Sequence, residues 1–77
     1  MTTVNEFDAI RLRQPVDACV LGAGRGTRIV MPAGTKGTVV HVHGPRAKPL
    51  AYEVEFVLEP LKSYAIATVD ADLVTTP

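Results

Sequence analysis

Two alternating runs, residues 38–43 (Thr-Val-Val-His-Val-His) and 51–57 (Ala-Tyr-Glu-Val-Glu-Phe-Val), constrain this chain more than any other feature. They flank Gly44-Pro45-Arg46-Ala47-Lys48-Pro49-Leu50, whose two prolines and glycine suit a loop and not a strand. Strict alternation of apolar and polar residues is the mark of a strand with one buried face, so the pair reads as a β-hairpin. The spacing predicts Tyr52, Val54 and Phe56 inside, with Glu53 and Glu55 outside. In the first run, a period of two puts Thr38, Val40 and Val42 on one face and Val39, His41 and His43 on the other. Gly34-Thr35-Lys36-Gly37 reads as the turn that launches it.

Other segments fit the same class. Asp8-Ala9-Ile10-Arg11-Leu12-Arg13 alternates with Ile10 and Leu12 on one face, and Gln14-Pro15 closes it. Tyr64-Ala65-Ile66-Ala67-Thr68-Val69 is a further strand, reached through a Glu59-Pro60 turn. Asp70-Ala71-Asp72-Leu73 reads as one short helical turn capped by Asp70. Residues 17–34 hold two apolar pieces around Gly22-Ala23-Gly24-Arg25-Gly26, and either an inserted hairpin or a long loop fits them. The expected fold is all-β: one domain over residues 1–77, a small barrel of about five antiparallel strands with a short helical turn near its end.

Size and composition narrow the function. A chain of 77 residues has one small core and buries only about 60% of its unfolded surface. Cys19 is the single cysteine, so no intrachain disulfide forms, and no Cys/His spacing matches a structural zinc site. A partner chain is therefore the expected source of further buried surface. Eight basic residues balance eight acidic ones, which argues against a dedicated nucleic-acid binder. The opening residues lack a basic and apolar leader, and no apolar run approaches a membrane span, so a cytoplasmic, reduced setting is expected.

Glu6-Phe7-Asp8-Ala9-Ile10, the stretch Pro32-Ala33-Gly34-Thr35-Lys36-Gly37-Thr38-Val39-Val40, Ala51-Tyr52-Glu53-Val54-Glu55-Phe56 and Ala67-Thr68-Val69-Asp70-Ala71-Asp72-Leu73, in that order, resemble the bacterial family called domain of unknown function 4926. The resemblance implies an SH3-like β-barrel, a stand-alone small protein and no established activity. This chain carries a longer first loop, with the glycine cluster, and a longer loop at residues 44–50.

Candidate sites follow from residue type and spacing. Val20-Leu21-Gly22-Ala23-Gly24-Arg25-Gly26-Thr27-Arg28 is similar to the glycine-rich signature of sugar nucleotidyltransferases. A phosphate cradle of that kind needs a parallel strand before it and a helix after it, and Ile29-Val30-Met31-Pro32 supplies no helix. Gly34-Thr35-Lys36-Gly37-Thr38 resembles the glycine-centred turn of KOW-type barrels, where a basic loop touches RNA or protein. No acidic residue lies between Asp17 and Glu53, while Arg25, Arg28, Lys36, Arg46 and Lys48 do, so a basic patch at one end of the barrel is the alternative, nucleic-acid reading. His41 and His43, with Glu53 and Glu55 on the neighbouring strand, are placed for His–Glu pairs, and a metal site is the sharper reading of the same geometry.

Catalysis is not expected. Ser63 is the only serine and has no evident base, and Cys19 reads as a small buried hydrophobe. The leading expectation is a non-enzymatic binding module without cofactor or metal. It binds another protein or a second copy through Val20, Leu21, Ile29, Val30 and Met31, which supply more apolar surface than a five-strand core needs.

Overall fold

Inward-facing apolar residues recur at every second position along most of the chain, and the computed structural model gathers them on the concave side of one curled antiparallel sheet, a half-barrel. It describes residues 4–22, 26–59 and 63–77. The opening residues 1–3, the centre of the glycine cluster with Arg25, and Pro60 of the expected turn lie outside the described residues. Among the described residues the strands are β1 (Ala9–Leu12), β2 (Val16–Val20), β3 (Arg28–Met31), β4 (Lys36–His43), β5 (Ala51–Leu58), β6 (Ser63–Asp70) and β7 (Val74–Thr75). Their order in the sheet is β3-β2-β6-β5-β4-β1-β7.

Among the described residues the strands number seven, not about five: to the four that alternation marks, β1, β4, β5 and β6, the structure adds three. Two of the additions come from residues 17–34, where β2 and β3 pair antiparallel from Val16↔Met31 to Cys19↔Arg28. The third is β7, which pairs with β1 at Arg11↔Thr75 and Leu12↔Val74. A two-residue strand has no periodicity to read, so nothing in its sequence announces it. Between β6 and β7 the chain makes one 3-10 turn, Ala71–Leu73. Asp70 stands at its cap position but makes no side-chain capping bond. The first N–H of the turn, that of Ala71, goes to the Leu50 carbonyl, at 3.1 Å.

The β4–β5 hairpin places Tyr52, Val54 and Phe56 in the core, as alternation predicts. Within β4 the prediction fails at one residue. Val39 pairs with Val54 and His41 with Glu53, so Val40 is an unmatched bulge between them. The bulge reverses the phase: Val39 and Val42 point toward the core side, opposite Val54 and Tyr52, while His41 and His43 face outward. A strict period of two had put Val39 on the histidine side.

The turn before β4 also sits earlier than the glycines suggest. Thr35 donates its N–H to the Pro32 carbonyl (3.2 Å), and Gly34 takes φ +85°, as the third residue of a type II turn requires. Gly37 belongs to the strand and is buried under Val54 and Phe56.

The core draws Ile10, Leu12, Ala18, Met31, Val39, Tyr52, Val54, Phe56, Ala65, Ala67, Val69 and Val74 from all seven strands. Ala18 takes the inward position in β2, which turns Cys19 outward; the thiol is exposed, not buried as its composition suggested. Among the described residues no helix is long and apolar enough to cross a membrane.

Candidate functional site

The five apolar residues expected to form one surface are separated by strand parity. Met31 is 6% exposed and belongs to the core. Val20 is half-buried and pairs with the buried Ala65. Leu21 donates its N–H to Tyr64 (2.8 Å) and so continues an outward row with Tyr64 and Val57, which are themselves paired across β5 and β6. Ile29 and Val30 remain on β3, the end strand of the sheet, 40% and 57% exposed. Their two side chains lie on opposite faces: Ile29 is partnered by the buried Ala18, and Val30 by the exposed Asp17.

The backbone of β3 has a definite phase. Val20 donates its N–H to the Thr27 carbonyl at 2.9 Å. Bonded and non-bonded pairs alternate in an antiparallel ladder, so Ala18–Ile29 and Val16–Met31 are bonded pairs as well. Arg28 and Val30 therefore turn their N–H and C=O groups away from β2, toward the open side of the sheet. The Leu21–Tyr64 bond on the far side of β2 has the matching phase.

The opposite end of the sheet is closed. By the same alternation, Val74 is the residue of β7 whose backbone points outward, and its carbonyl accepts the Arg13 Nε at 3.1 Å. A two-residue strand with a covered carbonyl is a poor template for another strand, whereas β3 offers four residues and two outward pairs of groups. Sequence reasoning missed this asymmetry, because it comes from sheet order and not from any local pattern.

The basic residues are not brought together. Lys36 begins β4, while Arg46 and Lys48 lie in the loop beyond its end. Eight residues of strand separate the two positions by about 23 Å. Arg28 sits on β3, four strands away from β4, and Arg25 lies outside the described residues. An open cleft of about 330 Å³ near the β4–β5 loop is lined by Val4, Asn5, Glu6, Val42, Gly44 and Arg46.

The histidine–glutamate pairing is present on the outer face. His43 Nε2 lies 3.0 Å from Glu53 Oε1, and His41 meets His43 edge-on with ring centroids 4.8 Å apart. An ionised carboxylate only accepts, so Nε2 is the donor. Thr68, directly across β5–β6 from Glu53, donates its hydroxyl to the same oxygen. Glu55 faces Thr38 and Ile66 and takes no part in that pairing. Among the described residues no three His, Cys, Asp or Glu side chains converge as a metal site.

The Thr68 hydroxyl first, then the His43 ring, holds the Glu53 carboxyl below its ordinary value, against a smaller opposing effect of burial. Its pKa is thus lower folded than unfolded, so its contribution is present above the unfolded value of about 4.5 and is lost as pH falls through the folded value. Urea midpoints measured from pH 6 to pH 3 should decline in the acid limb, and Glu53→Gln should flatten that limb. An equally steep decline in Glu53→Gln would assign the effect to other carboxylates.

Ser63, read as a serine without a base, directs its hydroxyl to the Leu21 carbonyl at 3.3 Å. The glycine-rich segment that resembled a phosphate cradle is followed by β3, not by a helix. No family model matches the chain, and neither does any curated protein or solved structure.

Proposed function

We propose that this chain is a small non-enzymatic, cytoplasmic protein-interaction module on an SH3-like half-barrel, and that the β2–β3 hairpin is its docking element. The observation that carries the reading is the β3 edge: two exposed aliphatic residues on a strand whose outward backbone groups have no neighbouring strand among the described residues. Water competes well for isolated backbone groups, but a partner strand satisfies them together with the burial of Ile29 and Val30. The resemblance to domain of unknown function 4926 implies a stand-alone small protein with no established activity, so the binding reading rests on the β3 edge and not on that family. Dispersal of Lys36, Arg46, Lys48 and Arg28 around the sheet weakens the nucleic-acid alternative, since phosphate tracking needs its cations in one groove.

A tagged chain used to recover partners from host lysate, with and without nuclease, tests the reading. A stoichiometric protein should survive nuclease, and Val30→Lys should reduce its recovery roughly tenfold or more, because a charge is then forced against the partner strand. An Arg46→Ala, Lys48→Ala double substitution should leave recovery unchanged. Loss of recovery on nuclease treatment, with sensitivity to the loop cations, would replace the protein partner by RNA or DNA.

A further inference from the structure

We infer that the partner strand at β3 is the β3 of a second copy of this chain, added antiparallel about a two-fold axis that passes through Ile29. This names the partner for the interaction reading above and rests on it.

Four observations lead to that register. First, only Arg28 and Val30 present outward backbone groups on β3. With Ile29 on the axis, Arg28 of each copy faces Val30 of the other, and each of those two pairs exchanges two hydrogen bonds. All the outward groups of the strand are then used, in four bonds.

Second, the neighbouring registers are worse. Side chains directly opposite in an antiparallel ladder share a face, so the register shifts only in steps that move the axis by one residue. An axis at Val30 sets Arg28 against Pro32, which has no N–H to give. An axis at Arg28 sets two guanidinium groups directly opposite each other.

Third, charge is complementary about Ile29. Along the outer face the row reads Asp17, Val30, then Arg28 and Cys19 of the second copy. The long arginine side chain can lie over Val30 with its guanidinium toward Asp17, and the two-fold repeats the arrangement. On the concave side the two Ile29 side chains meet as a non-bonded pair, the closer of the two pair types.

Fourth, the other end of the sheet is unsuited to a head-to-tail contact. The β7 edge is two residues long and its outward carbonyl already accepts Arg13 Nε. Association through β3 therefore closes on itself.

The register is tested by cross-linking in the full chain with Cys19→Ser as background, which removes the exposed native thiol. Ile29→Cys places two Cα atoms about 4.5 Å apart across the axis, within disulfide range. Val30→Cys places its pair two residues out of step, about 8 Å apart, beyond that range. Under mild oxidation Ile29→Cys should form covalent dimer at least tenfold faster than Val30→Cys or Arg28→Cys. Faster dimer formation at position 30 or 28 would overturn the register.

Amide exchange supplies a readout without substitution. The Ile29 and Met31 amides should be protected at every concentration, since they bond within the chain. Protection of Arg28 and Val30 should rise with protein concentration, and that of Arg28 should disappear in Val30→Pro, whose lost N–H serves no bond to β2. Unchanged exchange at Arg28 and Val30, together with no preferential cross-link at Ile29, would overturn self-pairing. If Val30→Lys still abolished recovery of a different protein from lysate in that case, the docking reading would stand with another occupant. If it did not, both would fall.

Discussion

Phe56→Ala is expected to remove roughly 3–5 kcal/mol of stability, the usual cost of a buried phenylalanine. A chain of this length has about 4–12 kcal/mol in all, so the substitution removes from roughly a quarter to the whole of it, and the unfolding midpoint should fall steeply. The neighbours explain why the loss sits at the upper end of what a single side chain can do. Phe56 is fully buried and faces Ala65 on β6, while the buried Gly37 lies over its ring from β4. Those two positions are small because the ring fills the space between them. With the ring gone, neither alanine nor glycine can move a side chain into the void, and the cavity persists. Urea denaturation followed by far-ultraviolet circular dichroism measures the change. A midpoint within a few tenths molar of the parent would mean that the sheet re-curls to close the gap.

Gly37→Ala is expected to be the second most damaging change, for the opposite reason. A Cβ at this position would stand 2.5 Å from Val54 Cγ1 and 2.8 Å from Phe56 Cε1. Both contacts are with core side chains that have nowhere to retreat, and forced overpacking of this kind costs about 1–3 kcal/mol. Conformational freedom is not the issue, since Gly37 lies within β4, and Gly34, in the turn before it, is the glycine with a left-handed backbone. The two sites share one volume, so their effects should be coupled. Phe56→Leu, milder alone than Phe56→Ala, should relieve part of the penalty in a Gly37→Ala background. A strictly additive double variant would show that the methyl group finds room elsewhere.

Much of the sheet was legible because β1, β5 and the apolar half of β6 follow period two without interruption, and one turn of that pattern determines which face is buried. The loss of legibility at β4 has a single cause. Val40 adds one unmatched residue, and every assignment on the Val39 side is inverted relative to the histidine side. Three adjacent valine and threonine positions look alike to a periodicity argument, so the strand carries no mark of where the phase changes. Gly37 was read as a turn residue because glycine near a strand start usually is, whereas its reason is a close approach by Phe56, which only the packed structure reveals. Cys19 and Met31 were misplaced by the same gap. Two short apolar pieces were recognised in residues 17–34, but their phase depends on the β2–β3 register, and the intervening glycines hide it.

The His43–Glu53 pair was legible to the level of neighbouring strands and no further. Thr68, which donates to the same carboxylate oxygen, lies fifteen residues beyond Glu53 in the chain and opposite it in the sheet. Its role follows at once from the β5–β6 pairing, whose Glu53↔Thr68 match is determined by a hairpin register. The candidate docking strand was found for its composition, but the property that sets it apart is the direction of its backbone groups. That direction is set by the phase of the ladder, which the Val20–Thr27 and Leu21–Tyr64 hydrogen bonds both report.

Arg13 gives this sheet a valency. A subunit with two reactive ends is bifunctional, and its assembly has no natural length. With Arg13 Nε on the Val74 carbonyl, the outward carbonyl of the β7 end is occupied within the chain, and β3 is the end left open. In polymer terms, under the strand pairing proposed above, such a unit is a chain stopper: it would react once through β3, and growth would end there. On that reading one guanidinium, together with the two-residue length of β7, limits how many copies a sheet could recruit, at a place remote from β3.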